Sequence, residues 1–295
     1  MTASTQLLTV RAKPPRRSSN KAASSPLATA FAYLISVIII IITVVPVLFI
    51  FIGGFRTTPQ INNNPTGMPH PWLWTNYRII ITSHVFWHFL MNSALIAIIA
   101  TTLAVSLGAM AAFALSRYTF KGREALFSFF TIGLLFPLTV ASLPLYLLLR
   151  DLGLLENMFG VAIPEAAFSL SITIVILRPF MRAIPGELED AAVIDGTTKL
   201  GFFWRVLLPL SAPALTTVAI LAFVTSWNFF ILPLLVFNNQ IHFTLPLGVA
   251  AFQSQYSADT ARVFAFTALS MLPTLLFFTV AQRRIVGGLT GAVKG

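Results

Sequence analysis

An all-α integral membrane protein with six transmembrane helices is predicted by three observations: long uncharged apolar runs, basic residues gathered on one side of them, and no strand-like alternation. Apolar residues make up 57% of the chain and charged residues only 9%, so burial in a soluble core is not what organises it. Uncharged runs occupy 27–52, 90–115, 125–149, 209–237 and 263–281, and a further run, 159–177, is interrupted only by Pro164 and Glu165. Each is near or above the roughly 20 residues that an α-helix needs to cross the hydrocarbon core. Within lipid no water satisfies backbone N–H and C=O groups, so these runs must be helical.

Orientation follows from charge. With the N-terminus inside, Arg11, Lys13, Arg16, Arg17, Lys21, Arg117, Lys121, Arg123, Arg178, Arg182, Lys199, Arg205, Arg283, Arg284 and Lys294 all fall in the cytoplasm, fifteen of the nineteen basic residues. Only Arg56, Arg78, Arg150 and Arg262 lie on the far side. The net charge of +10 therefore reads as topology and attraction to a lipid surface; no basic stripe interleaved with aromatics suggests nucleic acid. Both termini are expected in the cytoplasm, with the chain passing repeatedly through the cytoplasmic (inner) membrane.

Residues 1–26, rich in Ser, Ala, Pro and basic side chains, read as a disordered cytoplasmic tail, and 27–295 as one permeating domain. A secretory signal is the competing reading, but the run after the tail is too long and ends in Gly53-Gly54-Phe55-Arg56 with no small-residue cleavage pair. The stretch 55–88 is the longest non-helical candidate, with a turn signal at Asn62-Asn63-Asn64-Pro65-Thr66-Gly67. Trp72 and Trp74 after it read as interfacial anchors, solute stacking being the other reading. A second outer loop, 238–262, carries an uncharged hydrogen-bonding surface.

Catalytic chemistry finds no support. Cysteine is absent, which removes disulfides, thiol catalysis and Cys-based metal sites. His84 and His88 stand at i and i+4, yet no further ligand lies near them, and an interfacial helix end explains them. No G-x-x-x-x-G-K-[ST] loop is present to cradle a nucleotide. Glu165 is the one carboxylate near a membrane run; it is either a functional group or the solvated start of the fourth helix.

The densest polar feature is the loop 182–208. Glu187, Glu189, Asp190 and Asp195 place four of the chain's nine carboxylates within nine residues, on the cytoplasmic side. Pro185 suits the first turn of a helix, the acidic residues suit its positive end, and Gly196 suits the left-handed position beyond it. Thr197 or Thr198 can then cap a second short helix over 199–208. Leu188, Ala191, Ala192 and Asp195 fall on one face, small enough to admit another backbone. A loop this long with helix punctuation implies a partner.

Those residues carry a resemblance. Glu187-Leu188-Glu189-Asp190-Ala191-Ala192-Val193-Ile194-Asp195-Gly196, with Phe202-Phe203 and Leu207-Leu208-Pro209-Leu210-Ser211-Ala212-Pro213, resembles the "EAA" loop of permease subunits of bacterial ABC importers. Asn92-Ser93, Ala114-Leu115-Ser116-Arg117, Trp227-Asn228, Gln282-Arg283 and the terminal Gly291-Ala292-Val293-Lys294-Gly295 are similar to the second permease of carbohydrate importers of the maltose type. The likeness covers about residues 28–295; one departure is Asp190, where the family has glutamate.

The resemblance implies the type I permease fold and alternating access driven from outside the chain. The expected partners are a second permease, two ATP-binding-cassette ATPases that use ATP and Mg, and an extracytoplasmic solute-binding protein. The chain itself would bind no cofactor or metal and catalyse nothing. Glu187, Glu189, Asp190, Ala191, Ala192, Asp195 and Gly196 would form the coupling helix, with Phe202 and Phe203 as apolar anchors for the ATPase. Gly291, Lys294 and Gly295 would offer a tail contact, and Trp227, Asn228, Phe229 and Glu165 a solute path, helix packing being the other reading of the first three. The solute would be a carbohydrate or polyol; glycerol phosphate, or an ion-coupled secondary transporter, are the alternatives.

Overall fold

The computed structural model describes residues 26–256 and 258–292, with side chains from 29 to 279. The proposed tail up to residue 25, and Lys294 and Gly295, lie outside the described residues, as do the side chains around Gly291. Two compact units divide the chain, 1–46 and 47–295.

Helix α1 spans Pro26–Gly53. In the first unit its apolar side chains, among them Phe31, Ile38 and Ile42, are exposed. A helix apolar all round suits lipid or a neighbouring membrane helix. Ser36 and Thr43 donate their hydroxyls to the carbonyls of Ala32 and Ile39, so neither is left unsatisfied.

The second unit is helical throughout its described residues and contains no strand. The stretch 55–88 is not the loop the composition suggested. It holds α2 (Thr58–Asn63) and α3 (Thr75–Ile81), and α4 begins at His84. The physical reason for α2 is local: Thr57 Oγ1 accepts the Gln60 N–H while Gln60 Oε1 accepts the Thr57 N–H, a capping box, with Pro59 in the first turn.

The long helices follow. α4 (His84–Arg117) packs against α7 (Met158–Ala183) and α11 (Ala212–Trp227), and α11 against α14 (Thr260–Ala292). Between α4 and α7 come α5 (Arg123–Gly133) and α6 (Leu138–Asp151), which meet at 99°. Small buried residues on α4, namely Ala97, Ala100, Ala104 and Ala112, let the helices close on one another, as membrane helices commonly do. Gly108 lets α4 approach α7 closely: a Cβ there would lie 2.4 Å from the Thr173 side chain.

Six spans were expected, and the described residues hold up to six, not all of them single helices. Four, α1, α4, α7 and α14, are long and apolar enough to cross a membrane, and two more spans exist only as bent pairs. The run 125–149 breaks between Gly133 and Pro137, where proline cannot donate its backbone N–H. The run 209–237 breaks twice. A 78° bend near Ser211 separates α11 from the segment before it, and α11 ends at Trp227, to be followed by α12 (Ile231–Val236). The outer loop 238–262 is also partly helical, with a single 3₁₀ turn at Gln240–His242 and α13 (Leu245–Gln255).

Between α7 and α11 lie α8 (Glu187–Ile194), α9 (Lys199–Phe202), a π-helical turn at Phe203–Leu207, and α10 (Leu208–Leu210). The second helix expected over 199–208 thus changes pitch halfway. Three of the four arginines expected on the far side are held by near neighbours. Arg56 is buried and donates to the carbonyls of Pro65, Gln60 and Asn64 at the end of α2, Arg150 pairs with Asp151 at 2.9 Å, and Arg262 pairs with Asp259 at 3.2 Å.

Candidate functional site: the coupling corner and the broken span

The acidic loop folds into a corner closed by backbone hydrogen bonds. Gly186, not Pro185, caps α8, so the proline stands just ahead of the helix. At the other end Gly196 adopts φ +77°, its N–H bonds to the Val193 carbonyl at 3.0 Å, and the Thr197 N–H bonds to the Ala192 carbonyl at 2.8 Å. This pair of bonds is a Schellman motif, which consumes the carbonyls a helix end leaves orphaned. No atom lies within 4 Å of where a Cβ on Gly196 would stand, so glycine is needed there for its conformation and not for space. Thr198 opens α9 by accepting the Gly201 N–H at 3.1 Å on its hydroxyl.

The corner presents two faces. Glu187, Asp190, Ala191, Asp195 and Gly196 are exposed, whereas Glu189 and Ala192 are partly covered. Leu188, Val193, Ile194, Leu200 and Trp204 are exposed as well, Ile194 at 85%. Apolar side chains interleaved with carboxylates make a patch suited to protein docking. Sequence reasoning singled out the carboxylates and missed Ile194 and Leu200, although both follow directly from the helical spacing around Gly196.

Phe202 and Phe203 require a correction. They are 1% and 2% exposed, buried in the chain's own core with Leu177, Met181, Leu207 and Phe113, whose ring centroid lies 4.8 Å from that of Phe203. They anchor the corner to the spans and are closed to a partner. Phe203 opens the π turn, and Phe202 stands at the end of α9 just before it.

Arg117, quoted only as part of a motif, proves to be the fastening. From the last turn of α4 its guanidinium donates to the carbonyls of Met181 and Ile184, each at 2.8 Å, and stands 3.9 Å from Glu189 and 6.0 Å from the Phe202 ring. It therefore caps the end of α7 and ties α8 to α4 with one planar group. Nearby, Arg178 donates to the Leu115 carbonyl at 3.1 Å and to Glu124, and lies 4.0 Å over the Phe127 ring; Lys199 lies 4.8 Å over Tyr118.

The four path candidates divide between two cavities. Glu165 is not a solvated helix start: α7 begins at Met158, capped by Asn157, and Glu165 lies two turns inside at 3% exposure. Its Oε2 accepts a hydrogen bond from the Ser226 hydroxyl and its Oε1 has no partner. With Phe229, Ser169 and Thr225 it lines a space of about 110 Å³. Trp227 and Asn228 face another cavity, of about 330 Å³. They are not at mid-helix as expected: Trp227 ends α11 and Asn228 is its C-cap, with Nδ2 bonded to the Val224 carbonyl at 2.7 Å. His88 bonds the Ile241 carbonyl at 2.7 Å, and no group of three or more metal-ligating residues occurs among the described residues.

Comparison with known proteins bears on this geometry. Residues 104–289 match the family described as "Binding-protein-dependent transport system inner membrane component". The diacetylchitobiose uptake system permease protein NgcG of Streptomyces coelicolor is 33% identical over 88% of this chain and 87% of its own. The trehalose transport system permease protein SugB of Mycobacterium tuberculosis is 37% identical over 85% and 92%. Among solved structures, a bacterial ABC transporter involved in import of the acidic polysaccharide alginate superposes with TM-score 0.74 at 22% identity, over 88% of this chain and 98% of that one, a likeness of fold.

Proposed function

We propose a function from one premise: the chain belongs to the family of binding-protein-dependent transport system inner membrane components. It is a permease subunit of an ATP-binding-cassette importer, and it passes a carbohydrate or related polyol across the cytoplasmic membrane by alternating access. Relatives named for diacetylchitobiose and trehalose uptake support the sugar. A second permease, two ATPases that consume ATP and Mg, and an extracytoplasmic solute-binding protein complete the assembly, and both termini of this chain face the cytoplasm with the coupling corner. The chain itself neither binds nucleotide nor performs bond chemistry.

The observation that carries this reading is the pairing of an exposed, acidic and apolar corner with a buried fastening. Leu188, Val193, Ile194 and Leu200, with Glu187, Asp190 and Asp195, form the face on which the ATPase closes. Arg117, Phe202 and Phe203 turn displacement of that face into displacement of α4 and α7, because a planar hydrogen-bonded cation and two buried rings leave no slack. Trp227, Asn228, Phe229 and Glu165 border the route of the solute, and Gly291, Lys294 and Gly295 offer the ATPase a second contact.

The assembled transporter, reconstituted in vesicles with its binding protein, tests this. Uptake should stop when ATP is withheld and persist when ion gradients are collapsed; flux that follows an ion gradient without ATP would refute it. Ile194→Asp should weaken ATPase binding by about tenfold or more, the scale of one buried anchor, with the permease still folded.

A further inference from the structure

We propose that Arg178 is a positioning residue for transport: its guanidinium ties the bent pair α5–α6 to the ends of α4 and α7, so that the pair follows the corner. The proposal rests on the importer reading above and extends the fastening from two helices to a third span. The ends of α4 and α7 cap each other. Arg117, in the last turn of α4, donates to the Met181 and Ile184 carbonyls at the end of α7, and Arg178, from α7, returns its Nε–H to the Leu115 carbonyl of α4 at 3.1 Å. Carbonyls in the last turn of a helix meet no donor within it, so each guanidinium closes the open end of the other helix. Arg178 has a further arm. Its Nη2 donates to Glu124 in the first turn of α5, and the guanidinium lies 4.0 Å over the ring of Phe127, three residues on along the same face. The Arg178 side chain is 6% exposed, so water screens these contacts little.

The bent pair needs such a tie. α5 has no buried residue and α6 only Leu149, whereas α4, α7 and α11 each bury six or more. Between α5 and α7 an apolar space of about 590 Å³ opens, with Phe130 and Phe136 on one side and Phe168 on the other. Lipid tails are as apolar as these rings, so apolar contact alone does little to fix one helix against another in a bilayer. A hydrogen-bonded guanidinium does, because pulling it away leaves a buried charge and its acceptors unpaired. Among the described residues, the bond from Arg178 to Glu124 is the one hydrogen bond that joins α5 or α6 to α7 or α11. The tie also stands beside the anchor of the corner. Leu177 and Met181, one residue before Arg178 and three after it, pack with Phe202 and Phe203. Displacement of α8 and α9 thus reaches the turn of α7 that carries Arg178, and through Glu124 and Phe127 it reaches α5. α6 in turn packs against α12, so the arm ends beside the break that follows α11.

The chain contains no cysteine, which lets two nitroxide labels be placed in it without interference. Phe129→Cys on α5 and Ile163→Cys on α7, both exposed, are labelled in the assembled transporter, with its other subunits free of reactive thiols, and the distance between the labels is read by double electron–electron resonance. The parent should give one narrow distance, the same without nucleotide and with ATP trapped, since α5 follows α7. Arg178→Gln should broaden that distribution in both states, and the labelled sugar carried per ATP hydrolysed should fall several-fold. Glu124→Ala, at a side chain 62% exposed, breaks only the arm to α5 and decides the matter where Arg178→Gln does not fold; it should broaden the distribution and lower the sugar carried per ATP as well. Arg178→Lys should recover only part of the coupling, because an ammonium cannot reproduce the fork that meets two acceptors and a ring. A parent distance that shifts with nucleotide, a distribution unchanged by Glu124→Ala, or a broadened one that leaves the sugar carried per ATP intact overturns the proposal. Uptake by the parent that needs no ATP would strike the importer reading instead, while the label distances without nucleotide would still decide whether Arg178 holds α5.

Discussion

The acidic corner and the broken end of α11 are built on opposite principles. At the corner, guanidinium groups reach across helices, rings are buried, and the Ala191, Ala192 and Val193 carbonyls near the end of α8 have donors. At the end of α11 the helix stops short, two cavities open on either side of residues 225–229, and the flanking groups are hydroxyls, one amide and a single carboxylate with an unpaired oxygen. At the corner slack is removed; at the end of α11 backbone is left irregular and space unfilled. Rigidity and openness occupy the two ends of one continuous segment, from α8 to α12.

The contrast can be broken most forcefully at Phe203. Phe203→Ala should cost about 3–5 kcal/mol, the usual penalty for removing a buried phenylalanine, and thermal unfolding of the purified subunit in detergent would register it. A loss below about 1 kcal/mol would show that the corner is not anchored by this ring. Arg117→Ala comes next, at about 2 kcal/mol, since two carbonyls lose a charged donor. It should depress uptake more than basal ATP hydrolysis, and Arg117→Lys should recover only part, because one ammonium cannot reproduce the fork. Gly196→Ala should cost about 1–2 kcal/mol through its left-handed φ, with Gly196→Asn closer to the parent. Uptake unaffected by Gly196→Val would detach the corner's geometry from its coupling role.

The smallest effect is expected at Glu156, which fastens the outer loop. Burial opposes its ionisation, but the N–H groups of Asn238, at 2.6 Å, and Asn239, at 3.3 Å, outweigh it and hold the carboxyl below its ordinary range. A depressed carboxylate contributes stability above its unfolded pKa and loses it as pH falls through the folded value. Wild type should therefore unfold at a higher temperature than Glu156→Gln at pH 7, with the gap closing below about pH 4. A gap that persists in acid would remove the charge from the explanation.

The corner was legible because its signals are local and chemical. Gly196 needs a positive φ, Thr198 offers a hydroxyl three residues before an N–H, and the carboxylates gather where a helix begins. The family resemblance rested on the same stretch. The breaks in the spans were not legible from hydropathy, since an uncharged run looks alike whether it is one helix or two at 99°. Pro137 after Gly133, and Asn228 after Trp227, were the available signs, each a stop signal outweighed by the length of the run around it. Burial of Phe202 and Phe203 was hidden for another reason. Aromatics beside an acidic loop fit a docking face as well as a core, and only the packing of the folded chain around them decides between the two.

That π turn sets an angular phase. A π-helical stretch is an α-helix carrying one residue too many, and each residue of an α-helix advances the chain by about 100°. Phe203–Leu207 thus fixes the compass bearing of α8 relative to α11. Deleting a single residue there, with every other side chain retained, would turn the segment before it by about 100° relative to the segment after it. Length variation in this lineage should be tolerated in the outer loops and forbidden in these five positions.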